Sequence, residues 1–344
     1  MGAGAVLPPL GLADIADGNT VVCYPYGVGH GREGVSLGLR LGPYRILLDC
    51  GLADLSALEN DPLPDVVFCS HAHVDHGRGL GLLRQRSPHL PIYATAATAA
   101  LLRDQELAQS IRTLPWRVAV EVASDLTIEL WPAGHLPGAA CALLTYTQAQ
   151  RSYNVFYTGD CFLSSTRLVD GLPLATLRGL NPDVLIVEGS LGAAQYPNRR
   201  RQENRLIGQL RSHLEQSRCV VFPVPLLGIG QELLMLWRSH YHFTGQPLTI
   251  WVDPALAHSC DAYLELLAHS PDVFPRNIQN FAQHQPIFWD ERINPTIKRL
   301  PEQLPTDPLQ DPAVFLVHPA TPVALYCQRY RGAWSVFLPE QADL

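Results

Sequence analysis

Residues 70–77, Ser-His-Ala-His-Val-Asp-His-Gly, hold three imidazoles (His71, His73, His76), a carboxylate (Asp75) and a hydroxyl (Ser70). Each can bind a metal or move a proton. They follow Val66-Val67-Phe68-Cys69, an apolar run with the length and composition of a buried strand. Chemistry in α/β proteins is commonly placed at such strand ends. A polar loop that happens to contain several histidines is the plain alternative. It is disfavoured because alternating histidines at the end of a buried strand crowd one another unless they share a cation. Imidazole and carboxylate donors suit zinc, with manganese or iron as alternatives. His71 and His73, two apart on an extended segment, point to the same side and can chelate one ion. Asp75 and His76 then face a second position.

Further strand-like runs end in residues of the same kind. Asp49 closes an apolar run just before Cys50-Gly51. It reads equally well as a turn-forming aspartate or as a carboxylate that orients a metal-binding histidine. His135 lies in Pro-Ala-Gly-His-Leu-Pro-Gly (132–138), a rigid loop able to hold an imidazole inward. Asp160 ends the run Val155-Phe156-Tyr157-Thr158-Gly159, and Glu188 ends Val184-Leu185-Ile186-Val187. Taken singly, His135 or Asp160 is more often structural. Beside the opening motif they complete the donors of a two-metal site, His135 joining His71 and His73, and Asp160 bridging. Two ions about 3.5–4 Å apart can share a hydroxide nucleophile and neutralise charge on a phosphoryl or carbonyl oxygen. Water bound at such a site has a pKa near ~7.

The elements that must position these groups alternate in type. Runs at 20–24, 35–41 and 44–51 read as strands, with a turn at Leu41-Gly42-Pro43. A helix is expected over 79–85 and a second over the alanine-rich stretch 95–109. Strands are expected at 90–94, 117–122, 126–131, 143–146, 154–158 and 183–187. From residue 198 the pattern becomes helix (198–217), strand (219–224), helix (228–237), strand (248–253), helix (254–267). That order predicts a parallel sheet with helices packed on it, a second domain. We place the domains at 1–192 and 193–344. The Pro-, Asn-, Gln- and Asp-rich stretch 270–312 reads as loop, followed by a strand at 313–318, a helix at 323–330 and a last strand at 334–338.

The bulk properties fit a soluble enzyme. Of 344 residues, 47% are hydrophobic and 17% charged, which excludes a disordered chain. No apolar run approaches the length of a membrane-spanning helix, and the N-terminus has no basic region and an early Asp14, so it does not read as a signal peptide. Eight cysteines stand singly, without a CxxC pair. They read as buried thiols of a reducing cytoplasm. The net charge of −7 means that any nucleic acid would have to meet a local basic face. Arg199, Arg200 and Arg201 could contact phosphate, although three arginines opening a helix are more often a solvated face.

Asp49, His71-Ala72-His73-Val74-Asp75-His76, His135 and Asp160 match, one by one, the successive motifs of the metallo-β-lactamase superfamily, which this chain resembles. Its second half is similar to the β-CASP branch. The likeness there rests on Glu188-Gly189-Ser190, on the proline- and glycine-containing loop 223–230 leading into Gln231-Glu232-Leu233-Leu234, and on Trp251-Val252-Asp253-Pro254-Ala255-Leu256-Ala257. The resemblance implies an α/β fold: an αββα sandwich with a β-CASP domain built on a parallel sheet flanked by helices. It implies two Zn2+ ions, with Mn2+ an alternative. Their ligands would be His71, His73, Asp75, His76, His135 and Asp160, with Asp49 behind them and Asp75 and Glu188 as catalytic carboxylates. The implied activity is hydrolysis of phosphodiester bonds in single-stranded RNA, as in ribonuclease J and polyadenylation-type endonucleases, with the strand lying between the two domains. The chain departs from the family in one respect. The segment that returns to the first domain with a further histidine ligand does not occur before Leu344, and His318 lies in the wrong strand to replace it. We therefore expect the protein to continue past Leu344. A shortened relative that binds metal and partners in an RNA-processing assembly without cleaving is one alternative. A homo-oligomer or partner chain that supplies the ligands is another.

Overall fold

The computed structural model describes residues 8–14, 20–29, 33–102, 104–190, 192–193, 198–301, 311–322, 324 and 332–337. The chain divides into two compact units between Gly189 and Ser190.

The first unit is built from strands whose successive side chains enter different cores. One sheet has the order β1 (Leu10–Asp14), β2 (Thr20–Val28), β3 (Val35–Leu41), β4 (Tyr44–Leu48), β5 (Val66–Phe68), β6 (Ile92–Ala94), β7 (Arg112–Thr113). Its first four strands form an antiparallel meander, and β4 to β7 run parallel. The other sheet has the order β12 (Val184–Ile186), β11 (Arg151–Tyr157), β10 (Ala140–Gln148), β9 (Leu126–Pro132), β8 (Val120–Ala123). Ile46, Leu48, Val66 and Phe68 pack against Ile128, Leu130, Ala142 and Val155 of this second sheet. Their neighbours Leu47, Val67 and Cys69 face the other way, against Leu80, Leu83, Ala99 and Leu107. Those last residues come from α2 (Leu80–Arg86), α3 (Ala96–Leu101) and α4 (Gln105–Ser110), which follow the single helical turn α1 (Val74–Gly77). The period-2 alternation of a strand thus feeds a sheet-on-sheet core and a helix layer at once. Each fully buried Leu or Phe here contributes roughly 1.5–3 kcal/mol. This is the α/β sandwich that the motifs implied.

The second unit is a five-stranded sheet, all of whose pairings are parallel, in the order β15 (Thr296–Arg299), β14 (Thr249–Val252), β16 (Ala313–Val317), β13 (Cys219–Pro223), β17 (Trp334–Val336). Between the strands run α6 (Arg199–Glu215), α7 (Ile229–Ser239) and α8 (Pro254–His269), following the short α5 (Leu174–Leu177) of the first unit. α6 starts where the Asn198 side chain accepts the Arg201 N–H, and it buries Leu206, Ile207 and Leu210. α7 is buried on nearly all sides, its Gln231, Glu232 and Arg238 included, and its Trp237 is fully buried against Phe222. The parallel sheet flanked by helices that the strand–helix alternation predicted is therefore present.

Several sequence expectations need correction. The helix expected over 95–109 is two helices. Thr95 caps α3 by accepting the Thr98 N–H, and Asp104 caps α4 by accepting the Leu107 N–H. A second cap residue in mid-stretch restarts the helix. The strand expected from Arg117 begins at Val120, because Arg117 sits at φ +57°. β1 and β7 were not anticipated. Residues 270–312, read as loop, include α9 (Arg276–His284) and β15. The helix expected at 323–330 and the end of the last strand beyond residue 337 lie outside the described residues. Of the seven cysteines among the described residues, six are buried thiols, as expected, and Cys161 is partly exposed.

Candidate metal centre

β5 carries His71 and His73 beyond its C-terminal end. The backbone stays extended as far as His73 (φ −64°, ψ 148°) and then turns into α1. This change of geometry sends the motif in two directions. His71 and His73 stay side by side, with Nε2 of the first 3.1 Å from Nδ1 of the second. Asp75 and His76 leave on the helical turn. The turn is docked on the Asp49-Cys50-Gly51 corner by Cys50 N–H to His76 O and Gly79 N–H to Cys50 O, both 2.8 Å. A Cβ at Gly51 would overlap the Asp75 carbonyl, so glycine is required there.

The second sheet delivers the remaining donors. His135 sits in a loop held by two glycines of positive φ, Gly134 and Gly138. The Gly138 carbonyl accepts hydrogen bonds from the Thr95 and Thr98 hydroxyls at 2.7 and 3.0 Å, which ties this loop to the start of α3. His135 Nε2 lies 3.1 Å from His73 Nδ1. Asp160 follows Gly159 at φ +53°, where any side chain would strike Ser70. Its Oδ2 faces His135 Nε2 (3.6 Å) and His71 Nε2 (3.8 Å), while its Oδ1 faces His76 Nε2 (3.3 Å). One carboxylate therefore addresses two groups of imidazoles. The ligand atoms of His71, His73, His135 and Asp160 all lie within 4.8 Å of one another. Asp75, with a side chain 57% exposed, has Oδ2 4.0 Å from His76 Nε2.

Asp49 lies behind this cluster, fully buried and at φ +59°. Its Oδ1 accepts the Ser70 N–H at 2.6 Å. Its Oδ2 accepts from the Ser70 hydroxyl (2.7 Å), His76 Nδ1 (2.8 Å) and the Tyr157 hydroxyl (2.7 Å). Because the Ser70 proton goes to Asp49, the Ser70 oxygen is left to accept from His71 Nδ1, 3.0 Å away. Both histidines thus carry a proton on Nδ1 and turn Nε2 toward Asp160. Of the two readings of Asp49, the one in which it orients a histidine agrees with these contacts. Tyr157 was not anticipated: on a strand it reads as an apolar core residue, and only the packing of the two sheets brings its hydroxyl to Asp49.

The electrostatics separate the rings. Burial, and then the neighbouring histidines, hold His71 well below the ordinary imidazole value. Burial followed by His73 pushes His135 down to about 3. Burial also acts to lower His76, but the carboxylates of Asp49 and Asp160 outweigh it and raise His76 to about 10. For Asp160, burial opposes ionisation and the hydrogen bond and charge of His76 win, leaving it below the usual carboxylate value. Burial and Asp49 drive the Tyr157 phenol far above its ordinary value, so it stays a donor.

The donor set fits a divalent ion. One proton on His73 Nδ1 cannot satisfy two imidazole nitrogens at 3.1 Å, whereas a cation accepts all three lone pairs. His76 Nε2 is buried without a well-formed hydrogen bond, and Asp160 Oδ1 beside it supplies charge. Glu188 stands elsewhere in the arrangement. β12 runs parallel to β11, so Glu188 ends the strand beside the one that carries Asp160. Its backbone N–H donates to Thr158 Oγ1 at 3.0 Å. Its carboxylate is not part of the four-residue cluster, and its described electrostatic effect is on Cys161. Of the three arginines, Arg199 is engaged by Glu203 (3.0 Å) and Glu232 (2.9 Å), while Arg200 and Arg201 are exposed.

Residues 44–220, more than half of the chain, match the beta-lactamase superfamily domain. The chain belongs to that superfamily, in its β-CASP branch. It is 47% identical over 331 residues to an uncharacterized protein of Synechocystis sp., covering 93% of this chain and 58% of that one. It is 30% identical over 224 residues to "Probable RNase MJ4" of Methanocaldococcus jannaschii, covering 57% and 51%. With cleavage and polyadenylation specificity factor subunit 3-I of Arabidopsis thaliana it shares 27% identity over 318 residues, 81% of this chain and 44% of the relative. The chain spans about half the length of these relatives. Among the described residues, no helix is long and apolar enough to cross a membrane.

Proposed function

We infer that this chain is a metal-dependent hydrolase that cleaves phosphodiester bonds of RNA, with zinc as its ion. The observation that carries this reading is the convergence of His71, His73, His135 and Asp160 from two sheets onto one point. Relatives named as an RNase and as a cleavage factor support the substrate class. His71, His73 and His135 would hold one ion with Oδ2 of Asp160. His76, Asp75 and Oδ1 of Asp160 would hold a second. Divalent ions in such a site polarise a phosphoryl oxygen and make water acidic enough to ionise near neutral pH.

The chain's own residues have separable tasks. Burial keeps His71 and His135 neutral, the form a metal requires. Asp160 divides its two oxygens between the groups of rings, so one negative charge offsets both positions. Asp75 is the exposed carboxylate at the rim, where it can accept a proton from an incoming group. Glu188, at the end of the neighbouring strand, is our second candidate for proton transfer. The resemblance points to single-stranded RNA as the substrate.

The test is incubation of the full chain and of His73→Ala with end-labelled single-stranded RNA and zinc or manganese. We expect cleavage by the wild type only, abolished by a chelator and slower on duplex RNA. Equal cleavage by both proteins, or none by either with metal bound, would remove the reading.

A further inference from the structure

We propose that Tyr157 is a positioning residue for the second metal position: its hydroxyl, donated across the sandwich to Asp49, fixes the Asp49–His76 hydrogen bond so that Nε2 of His76 faces Asp75 and Asp160. The proposal rests on the two-metal reading of the site and deepens it.

The position did not need a hydroxyl for packing. Tyr157 is 3% exposed, and its ring lies in the sheet-on-sheet core with Tyr153, Val155 and Ala142. Phenylalanine would fill the same space with no polar atom to satisfy, and a buried hydroxyl without a partner costs about 1–3 kcal/mol. Here the hydroxyl has a partner, Asp49 Oδ2 at 2.7 Å. Water does not compete for this bond, so its direction is well defined.

The geometry shows what the bond controls. Oδ2 is shared between Tyr157, Ser70 and His76, whereas Oδ1 is held by the Ser70 backbone N–H. Ser70 therefore anchors both oxygens of Asp49 and passes orientation to His71 through its own oxygen. Tyr157 approaches Oδ2 from the opposite sheet and sets its direction at His76. Tyr157 also pairs with Ala142 on one side and Ile186 on the other, in the interior of its sheet. Asp160 follows it by a short turn closed by Thr158 Oγ1 to Gly159 O. The strand that presents Asp160 to His76 Nε2 thus also restrains His76 at Nδ1. Both ends of the ring are referred to one rigid element, and a small shift of β11 would move ligand and restraint together.

The experiment is a chelator-competition titration of zinc into the full wild-type chain, Tyr157→Phe and Phe156→Leu. Phe156 is buried and, one residue before Tyr157 on the same strand, points to the other face of the sheet. Tyr157→Phe should weaken the second zinc equivalent about 10-fold or more, the usual effect of removing an outer partner of a ligand, and leave the first unchanged. Phe156→Leu should lower the melting temperature and leave both equivalents intact. Tyr157→Phe binding both equivalents like wild type, or losing both alike, overturns the proposal. A wild type that binds no zinc overturns instead the two-metal reading beneath it. A measurement on the wild type does not depend on whether the variant folds. The Tyr157 hydroxyl proton should appear as a slowly exchanging downfield proton resonance that moves with the second zinc equivalent and not the first. A resonance indifferent to the second equivalent also overturns it.

Discussion

Among the described residues, two buried aspartates, Asp49 and Asp253, end strands, and their partners differ in kind. Asp49, after β4, accepts one backbone N–H and three side-chain donors, Ser70, His76 and Tyr157. Asp253, after β14, caps α8 by accepting the Leu256 N–H at 2.8 Å, and its Oδ2 takes the His318 N–H at 2.6 Å and the Thr321 hydroxyl at 2.8 Å. Both follow apolar strands and both are buried. Asp253 is filled mostly by backbone and stiffens a fold. Asp49 is filled mostly by side chains that belong or lead to the histidine cluster, so it bears on the orientation of those rings. Burial and position at a strand end do not distinguish the two roles; the identity of the donors does.

This contrast can be broken by substitution. Asp253→Ala loses a helix cap, about 1 kcal/mol, and leaves the His318 N–H short of a partner, about 1–3 kcal/mol more. Denaturant unfolding should show a loss of about 2–4 kcal/mol, with zinc binding by the first unit unchanged. Asp49→Asn keeps a residue that tolerates positive φ and should do the reverse. Zinc affinity falls about 10–100-fold, while circular dichroism still reports a folded chain. If Asp253→Ala removed zinc, or Asp49→Asn kept it, the division of roles would fail.

On the acid side, the groups of the site held below their ordinary values are His71, His135 and Asp160. His71 and His135 are held below their unfolded value of about 6.5. The unfolded chain therefore takes up protons that the folded, metal-free chain resists. The stability these two contribute is present above pH ~6.5 and is lost as pH falls below it, through about 3 for His135. His76, raised to about 10, contributes stability that is present below pH ~6.5 and lost as pH rises through about 10. Melting curves of the metal-free chain should fall away on both sides of neutrality, and zinc should raise the curve near neutrality and steepen its acid limb, because a bound ion requires deprotonated ligands. An acid limb that zinc leaves untouched would separate these rings from the metal. Thr95→Ala, which removes the α3 cap and one of two donors to Gly138 O, should cost about 1 kcal/mol. Arg211→Ala breaks an exposed pair with Glu215 and a long exposed contact to His242 Nδ1 at 3.4 Å, and should change stability by less than about 0.5 kcal/mol.

The donors themselves were readable because metal ligands are polar groups in places where a buried strand should not end with them. His71-Ala72-His73-Val74-Asp75-His76 declared itself in this way, and His135 and Asp160 became informative beside it. The spacing already separated His71 and His73 from Asp75 and His76; not readable was the helical turn α1, starting immediately after His73, that carries the second pair away. Tyr157 and Gly159 gave no signal, because their roles exist only where one sheet meets the other. Among the elements, long amphipathic segments such as α6 and α8 were legible from spacing. α9 was missed because polar composition outweighed its spacing. The break between α3 and α4 was missed because alanine-rich composition outweighed the cap at Asp104.

Whether the rings and carboxylates of the first unit hold metal is decided by elemental analysis of the full chain, purified without chelator and set beside His73→Ala. About two zinc ions per wild-type chain are expected, with a marked loss in the variant and both proteins folded. A wild-type chain that is stably folded yet carries no zinc, manganese or iron, and takes none up on exposure, would contradict that expectation.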